Sequence, residues 1–457
     1  MQMLDGAIIT TSLPQMAGSF GVPPVHMSVG VTTYMLVVAI FMPLSAWLAE
    51  RFGARKIFLA AILVFTLASL ACGLAQTLTQ FVLARALQGF GGAMMMPVGR
   101  TLVLRQAAKS ELLDAVALIT WPALFAPVIG PILGGFITTY LSWRWNFLLN
   151  LPIGIAGFLL VRRFIPDFRS ENCGTLDWAG FLLSAGALAL LLYGLETLGH
   201  AALSSAMPWL LIAAGLGVGT LAVRHLRRST QPLLELKAFS VQTFALSTLS
   251  AGTWLRIAIN ATPFLLPLFY QLGFGLSALA ASSYVFAYFA GNLGMKTITT
   301  PTLRRFGFRR VLFANGVLCG LSIAACALFT AQTAQVLMFA SLFLAGLTRS
   351  MQFTALNTLA FADLPDTQRS SASTLASMLQ QIAMLLGVAV SVLILQASST
   401  LRGHASPEQP DFRIAFILIG LLAAGTSWMF LKLPEDAGAE VSGHRSGAAT
   451  RGGSGPS

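Results

Sequence analysis

The sequence predicts an all-α membrane protein of fourteen transmembrane helices, arranged as two six-helix bundles with two further helices between them. Three observations carry that expectation. Of 457 residues 56% are hydrophobic and only 10% charged, whereas soluble domains carry about a quarter charged residues, so most of the surface suits lipid. The apolar residues gather into runs of about the 20 residues that cross a hydrocarbon core as a helix. A basic turn between two such runs occurs twice, first as Glu50-Arg51-Phe52-Gly53-Ala54-Arg55-Lys56 and about 254 residues later as Arg304-Arg305-Phe306-Gly307-Phe308-Arg309-Arg310. A repeat so far outside the ~20 to 50-residue period of solenoids marks two homologous halves. Parallel membrane repeats of this kind place a transport site at their interface.

Taken in order, the first span, residues 1–18, opens directly on Met1-Gln2-Met3-Leu4-Asp5 and reads as a truncated first helix. Spans near 28–48, 57–76, 79–104, 114–139 and 145–164 complete a first bundle over residues 1–164. Residues 165–240 hold two linking spans, near 177–196 and 206–224. The second bundle, 241–432, has spans near 241–271, 277–298, 309–330, 335–361, 371–396 and 412–432. The tail, 433–457, is rich in Gly and Ser without apolar pattern and is expected to be disordered.

Charge tests the map. With both termini in the cytoplasm, 21 of the 28 Lys and Arg fall in cytoplasmic segments and only three, Arg144, Arg402 and Arg413, on the other side. That bias is what the positive-inside rule requires, and one miscounted span would scramble it. The formal charge of +12 is dispersed singly into short turns, which argues against nucleic acid as a partner. Cys72, Cys173, Cys319 and Cys326 show no paired spacing, and the five histidines sit in or beside loops, so no metal site is expected. No phosphate-binding loop occurs. Energy must then come from an ion gradient or from the substrate's own, with no cofactor.

Four arginines remain inside predicted spans: Arg85, Arg100, Arg256 and Arg349. A charge near the bilayer centre costs roughly 2.5 to 3.5 kcal/mol on insertion scales, so each calls for a partner or a purpose. Asp5 is the one acid well inside a first-half span, either a proton-binding carboxyl or a structural acid satisfied by a basic neighbour. Arg85 shares a helical face with Gln88 and Gly92, as countercharge to Asp5 or as a fixed bond to a carbonyl. Arg256 with Asn260, and Arg349 with Asn357, are candidate substrate contacts or interhelical bonds; Gln380 and Gln381 are weaker candidates. Gly130-Pro131-Ile132-Leu133-Gly134-Gly135 joins a helix-breaking proline to three glycines, suited to a hinge, a seal or plain close packing.

Together these stretches resemble the major facilitator superfamily, and within it the fourteen-helix drug:proton antiporter group, over residues 1 to about 432. Glu50, Arg51, Gly53, Arg55 and Lys56 match the superfamily's signature turn, a latch between the halves on the cytoplasmic side, with Arg305, Gly307 and Arg309 as its second-half counterpart. Leu4-Asp5 through Leu13-Pro14 is similar to the group's first-helix motif, Arg85 to Gly89 to its proton-transfer motif, and Gly130 to Gly135 to its antiporter motif. Trp143-Arg144-Trp145-Asn146-Phe147 and Asn150-Leu151-Pro152 also match.

The resemblance implies a major facilitator fold and a proton-driven exporter of drugs or small metabolites in the bacterial inner membrane, not an enzyme. Its expected partners are a small-molecule substrate, protons and the lipid bilayer, with a monomeric chain. Asp5 would bind the proton, Arg85 would tune it, and Gln88, Arg256, Asn260, Arg349 and Asn357 would face substrate. Interior arginines outnumber interior acids, which favours anionic or neutral cargo. A nutrient importer of the same fold and a non-transporting membrane sensor are the alternatives.

Overall fold

The computed structural model describes residues 1–106, 112–166, 175–200, 206–365, 368–404 and 406–442. Among these no strand occurs. The helices are α1 (Gln2–Ile9), α2 (Leu13–Phe20), α3 (Ser28–Phe52), α4 (Ala54–Leu74), α5 (Leu78–Gln106), α6 (Leu112–Tyr140), α7 (Trp145–Leu148), α8 (Asn150–Phe164), α9 (Trp178–His200) and α10 (Ala206–Arg228). They continue with α11 (Gln242–Thr248), α12 (Ala251–Leu268), α13 (Ala278–Gly294), α14 (Lys296–Ala325), α15 (Gln335–Ala362), α16 (Arg369–Leu401), α17 (Gln409–Ser427) and the short α18 (Ala439–Ser442).

Among the described residues ten helical stretches are long and apolar enough to cross a membrane. They coincide with ten of the fourteen predicted spans. Three of the other four depart for local reasons. The first span is two eight-residue helices, α1 and α2, with a turn at Thr10–Ser12 and Pro14 just inside α2, where its missing N–H cannot continue the helix. The carbonyl of Thr11 at this break accepts a hydrogen bond from Gln271 Nε2 at 2.9 Å. The fifth span, α6, is one continuous helix, Leu112–Tyr140. The ninth is α11 and α12 separated at Leu249–Ser250, with a π-helical turn, Phe269–Gly273, after α12. Ser247 and Thr248 hydroxyls bond back to the carbonyls of Thr243 and Phe244, a local competition that weakens helical continuity. The tenth, α13, stops at Gly294, one residue before α14 starts.

The repeated basic turns share a backbone signature. Gly53, between α3 and α4, has φ 98°, and Gly307, inside α14, has φ 73° with ψ 163°. Both angles suit glycine alone. Gly307 departs from helical angles, so the Arg304 to Arg310 turn is a kink between two helical stretches of α14.

The chain divides into two compact units. One comprises Met1–Glu235, Pro263–Phe286 and Met384–Phe412; the other comprises Leu236–Thr262, Ala287–Ala383 and the chain from Arg413 on. Helices α12, α13, α16 and α17 each contribute residues to both. Within the first unit the linking pair α9 and α10 packs closely, since a Cβ on Gly194 or Gly215 would stand 2.8 Å from Ile212 or Leu191. Asp177 closes this pair. Its Oδ1 accepts from the Gly180 N–H at 2.8 Å and meets His225 Nε2 at 2.7 Å, while Oδ2 accepts from the Leu233 N–H at 3.2 Å. Burial pushes the Asp177 carboxyl upward, but these bonds outweigh it and hold it below the usual carboxylate range.

In the second unit, the start of the expected disordered tail packs on α14. Gly438 has φ 65° and comes so close to Phe308 that a Cβ would lie 2.8 Å from its ring, and Leu433 is buried. Residues 443–457, with Arg445 and Arg451, lie outside the described residues, as do Lys109, Arg169 and Cys173 and the side chains of Arg100 and Arg105.

Candidate transport site

Three helices, α4, α5 and α8, close on Asp5, which is only 3% exposed. From α5, Arg85 places Nη1 2.7 Å from Asp5 Oδ2, and Gln88, one turn on, donates from Nε2 to Oδ1 at 2.9 Å. From α8, Asn150 Nδ2 donates to the same Oδ1 at 3.0 Å. From α4, Ser69 Oγ accepts from Gln88 at 2.9 Å and from Asn150 at 3.3 Å. Each of these polar groups is buried, so the cluster is a closed network whose members answer one another rather than water.

Arg85, fully buried, satisfies both sequence readings at once. Besides the ion pair, its Nε donates to the Gly30 carbonyl at 3.1 Å and Nη1 donates to Gln88 Oε1. Its guanidinium lies 4.2 Å from the centroid of the Tyr34 ring and 5.8 Å from that of Phe147. Removing one partner of a buried ion pair typically costs about 3 to 5 kcal/mol because a bare charge is left behind. The glycines of α5 make room for this arrangement: a Cβ on Gly89 would lie 2.7 Å from the Tyr34 carbonyl, and one on Gly92 2.8 Å from the Tyr34 hydroxyl.

Gln88, grouped by sequence with the substrate contacts, therefore has its amide committed to Asp5 and Ser69. Asn150, Ser69 and Tyr34 have no role in the sequence reading. The available signal was their polarity inside apolar runs. A second polar cluster sits alongside: Asn146 Nδ2 donates to Ser12 Oγ at 2.6 Å and Thr138 Oγ1 at 3.0 Å.

The α6 glycines lie at close contacts. A Cβ on Gly130 would stand 2.6 Å from the Ala7 side chain, one on Gly134 2.8 Å from the Ile8 carbonyl and Thr11 Oγ1, and one on Gly135 2.8 Å from the Ala278 carbonyl. The helix is continuous through Pro131.

In the second unit Arg256, 3% exposed, donates from Nη1 to the Ser247 carbonyl, which the break between α11 and α12 leaves free, and from Nη2 to Asn357 Oδ1 at 2.9 Å. Asn357 thus joins Arg256 rather than Arg349, with which sequence spacing grouped it. Asn260 is half-buried and takes no part in that bond. Arg349, also half-buried, lies 5.8 and 5.6 Å from the ring centroids of Tyr288 and Phe289. Lys296, counted with the cytoplasmic turns, turns inward and donates to Thr354 Oγ1 at 2.7 Å. A neutral network also missed by sequence links Asn315 Nδ2 to the Thr348 carbonyl and Gln352 Oε1, both at 2.8 Å.

The signature-turn residues are mostly at the surface. Glu50, Arg51 and Lys56 are exposed, and Arg55 donates to the Arg162 carbonyl. Arg305 lies 5.3 Å from the Phe306 ring centroid. Arg309 meets Glu435 at 3.3 Å, an exposed pair of the kind worth about 0 to 1 kcal/mol.

Long apolar helices around a buried ion pair and discontinuous spans are the build of a membrane transporter. The sequence matches the Major Facilitator Superfamily over residues 1–388 and 248–452, and the chain belongs to that family. It is 38% identical over 442 residues to "Putative multidrug resistance protein MdtD" of Escherichia coli O157:H7, covering 95% of this chain and 93% of that one. Among solved structures it resembles a D-xylose-proton symporter, with TM-score 0.66, 16% identity and 96% of each chain covered. It also resembles an auto inhibited POT family peptide transporter, with TM-score 0.63, 15% identity, and 94% and 95% covered. These likenesses agree on the fold, and the chain is a multi-pass membrane transporter rather than an enzyme.

Proposed function

We propose that this transporter is a proton-coupled exporter of drugs or small metabolites, working in the bacterial inner membrane by alternating access with both termini cytoplasmic and one chain as the working unit. The observation that carries the reading is Asp5, an acid buried within a span and held by Arg85, Gln88 and Asn150. Taking up a proton removes the negative charge from one side of the Asp5 and Arg85 pair. The bonding of the first helix to α5 and α8 then changes with the proton, which is the differential interaction any coupled conformational change requires. Export is supported by the relationship to the MdtD proteins, and the inner face by the distribution of Lys and Arg.

The glycines Gly130, Gly134 and Gly135 would seal α6 against its neighbours. The turn residues Glu50, Arg51, Gly53, Arg55 and Lys56, with Arg305, Gly307 and Arg309, would latch the cytoplasmic side. Arg256, Asn260, Arg349 and Asn357 would face the substrate and favour anionic or neutral cargo.

The test is an efflux screen of metabolites and drugs in cells lacking their own exporters, with wild type beside Asp5→Asn. Wild type should lower accumulation of its substrate, collapse of the proton gradient should restore it, and Asp5→Asn should lose uphill efflux while remaining inserted and folded. Full proton-driven efflux by Asp5→Asn would overturn the assignment.

A further inference from the structure

We infer that Tyr34 is a positioning residue of the proton site, holding Arg85 in place when Asp5 is neutral; the inference rests on the proton-coupled reading above. A buried guanidinium whose carboxylate takes up a proton is left with an uncompensated charge, and in most settings it would have to move or draw in water. Arg85 has further partners besides the Asp5 carboxylate. The Gly30 carbonyl accepts from Nε, Gln88 Oε1 accepts from Nη1, and the Tyr34 ring presents its electron-rich face at 4.2 Å. The distance is well inside the ~6 Å over which such a face attracts a cation, and the attraction is strongest where both partners are desolvated. Tyr34 and Arg85 are both buried. Phe147 at 5.8 Å is the more distant second ring.

The charged and titratable groups around this centre are few. Asp5 on α1, Arg85 on α5, Tyr34 on α3 and Cys72 on α4 face one another, and the amino group of Met1 is within electrostatic reach of Asp5. When Asp5 is ionised it shares the arginine's charge with the ring. When Asp5 is protonated the ring is the chief electron-rich face left on that cation. Loss of the ring therefore penalises the protonated state more than the ionised one, and a lower pH is needed to fill the site. The fit of ring to cation depends on Gly92, where a Cβ would stand 2.8 Å from the Tyr34 hydroxyl.

The experiment is infrared titration of the purified full-length protein in detergent, labelled with carbon-13 aspartate, with Asp5→Asn identifying the Asp5 band by its loss. Tyr34→Leu should lower the midpoint by about one pH unit, roughly tenfold in proton affinity. Gly92→Ala, which pushes the ring away without deleting it, should shift it in the same direction. Tyr34→Phe keeps the aromatic face and should stay with wild type. If no titrating band disappears in Asp5→Asn, the proton-coupled reading fails and this inference with it. If the band titrates but Tyr34→Leu and Gly92→Ala keep the wild-type midpoint, or Tyr34→Phe moves as far as Tyr34→Leu, Tyr34 has no such role.

Discussion

A polar side chain in an apolar segment can be judged by whether its partners suit one charge state or two. Arg85 bonds the Gly30 carbonyl and Gln88 as well as Asp5, so its guanidinium has acceptors besides the carboxylate. Asp177 is the contrasting case. Its acceptors are used up by Gly180, His225 and Leu233, an arrangement that serves the ionised carboxylate and fastens the ends of α9 and α10. Its carboxyl is held below the ordinary range, so the unfolded chain takes up this proton at a higher pH than the folded one. The stabilisation is therefore complete above the unfolded value, near pH 4, and is lost as the pH falls through the folded value. Asp177→Ala should lower stability at pH 7 by about 0.5 to 2 kcal/mol, the usual cost of losing a helix cap. Thermal unfolding in detergent at pH 7 and at pH 3.5 checks this: the gap between variant and wild type should narrow at the lower pH. Asp5 itself was legible because a lone acid in an apolar run is rare. Ser69, and the bond from Asn150 to Asp5, were not, because neutral polar residues are common there and only the fold reveals which of them meet.

Among the elements, the first and the ninth are spans that the sequence map drew as single and the structure divides. Hydropathy measures how apolar a window is and says nothing of where a carbonyl loses its donor. Pro14 divides the first, and the serine and threonine hydroxyls of Thr243 to Ser250 accompany the break in the ninth. In each case a side chain takes the exposed carbonyl, Gln271 on Thr11 and Arg256 on Ser247, as backbone at membrane depth requires. The repeat of the turns, by contrast, was readable in the sequence, and Gly53 and Gly307, which stand in register, each adopt positive φ. An L side chain there is strained, at a typical cost of about 1 to 3 kcal/mol. Gly53→Ala and Gly307→Ala should each lower the thermal midpoint in detergent. Gly217 in α10 has open space around its Cβ position, and Gly217→Ala should leave the midpoint unchanged or raise it slightly, as expected of glycine replaced within a helix. Equal effects at all three positions would show that helix propensity, not turn conformation, governs the turns.

Across the whole molecule, composition and the internal repeat were enough to expect a two-half helical transporter, but buried cations are held differently in the two parts of the chain. The first-half cation Arg85 has a carboxylate partner. The second-half cation Arg256 has two neutral oxygens, the Ser247 carbonyl and Asn357 Oδ1, and Arg349 has aromatic faces. This difference depends on pairing across helices, which spacing along the chain does not encode; Asn357 was assigned to the wrong arginine for that reason. Cations held by neutral partners leave a positive potential that suits an anion, and the proposed preference for anionic or neutral cargo rests there. Proteoliposomes with an imposed proton gradient offer the check, with organic carboxylates, neutral drugs and ethidium-like cations supplied in competition. Carboxylates should be moved or should compete, and Arg256→Gln should weaken them by roughly 10 to 100-fold, the loss of one charge-assisted hydrogen-bonded contact, while affecting neutral cargo less. Efficient movement of ethidium-like cations, with carboxylates neither moving nor competing, would mean that the second-half arginines are structural and that the potential at the substrate is set elsewhere.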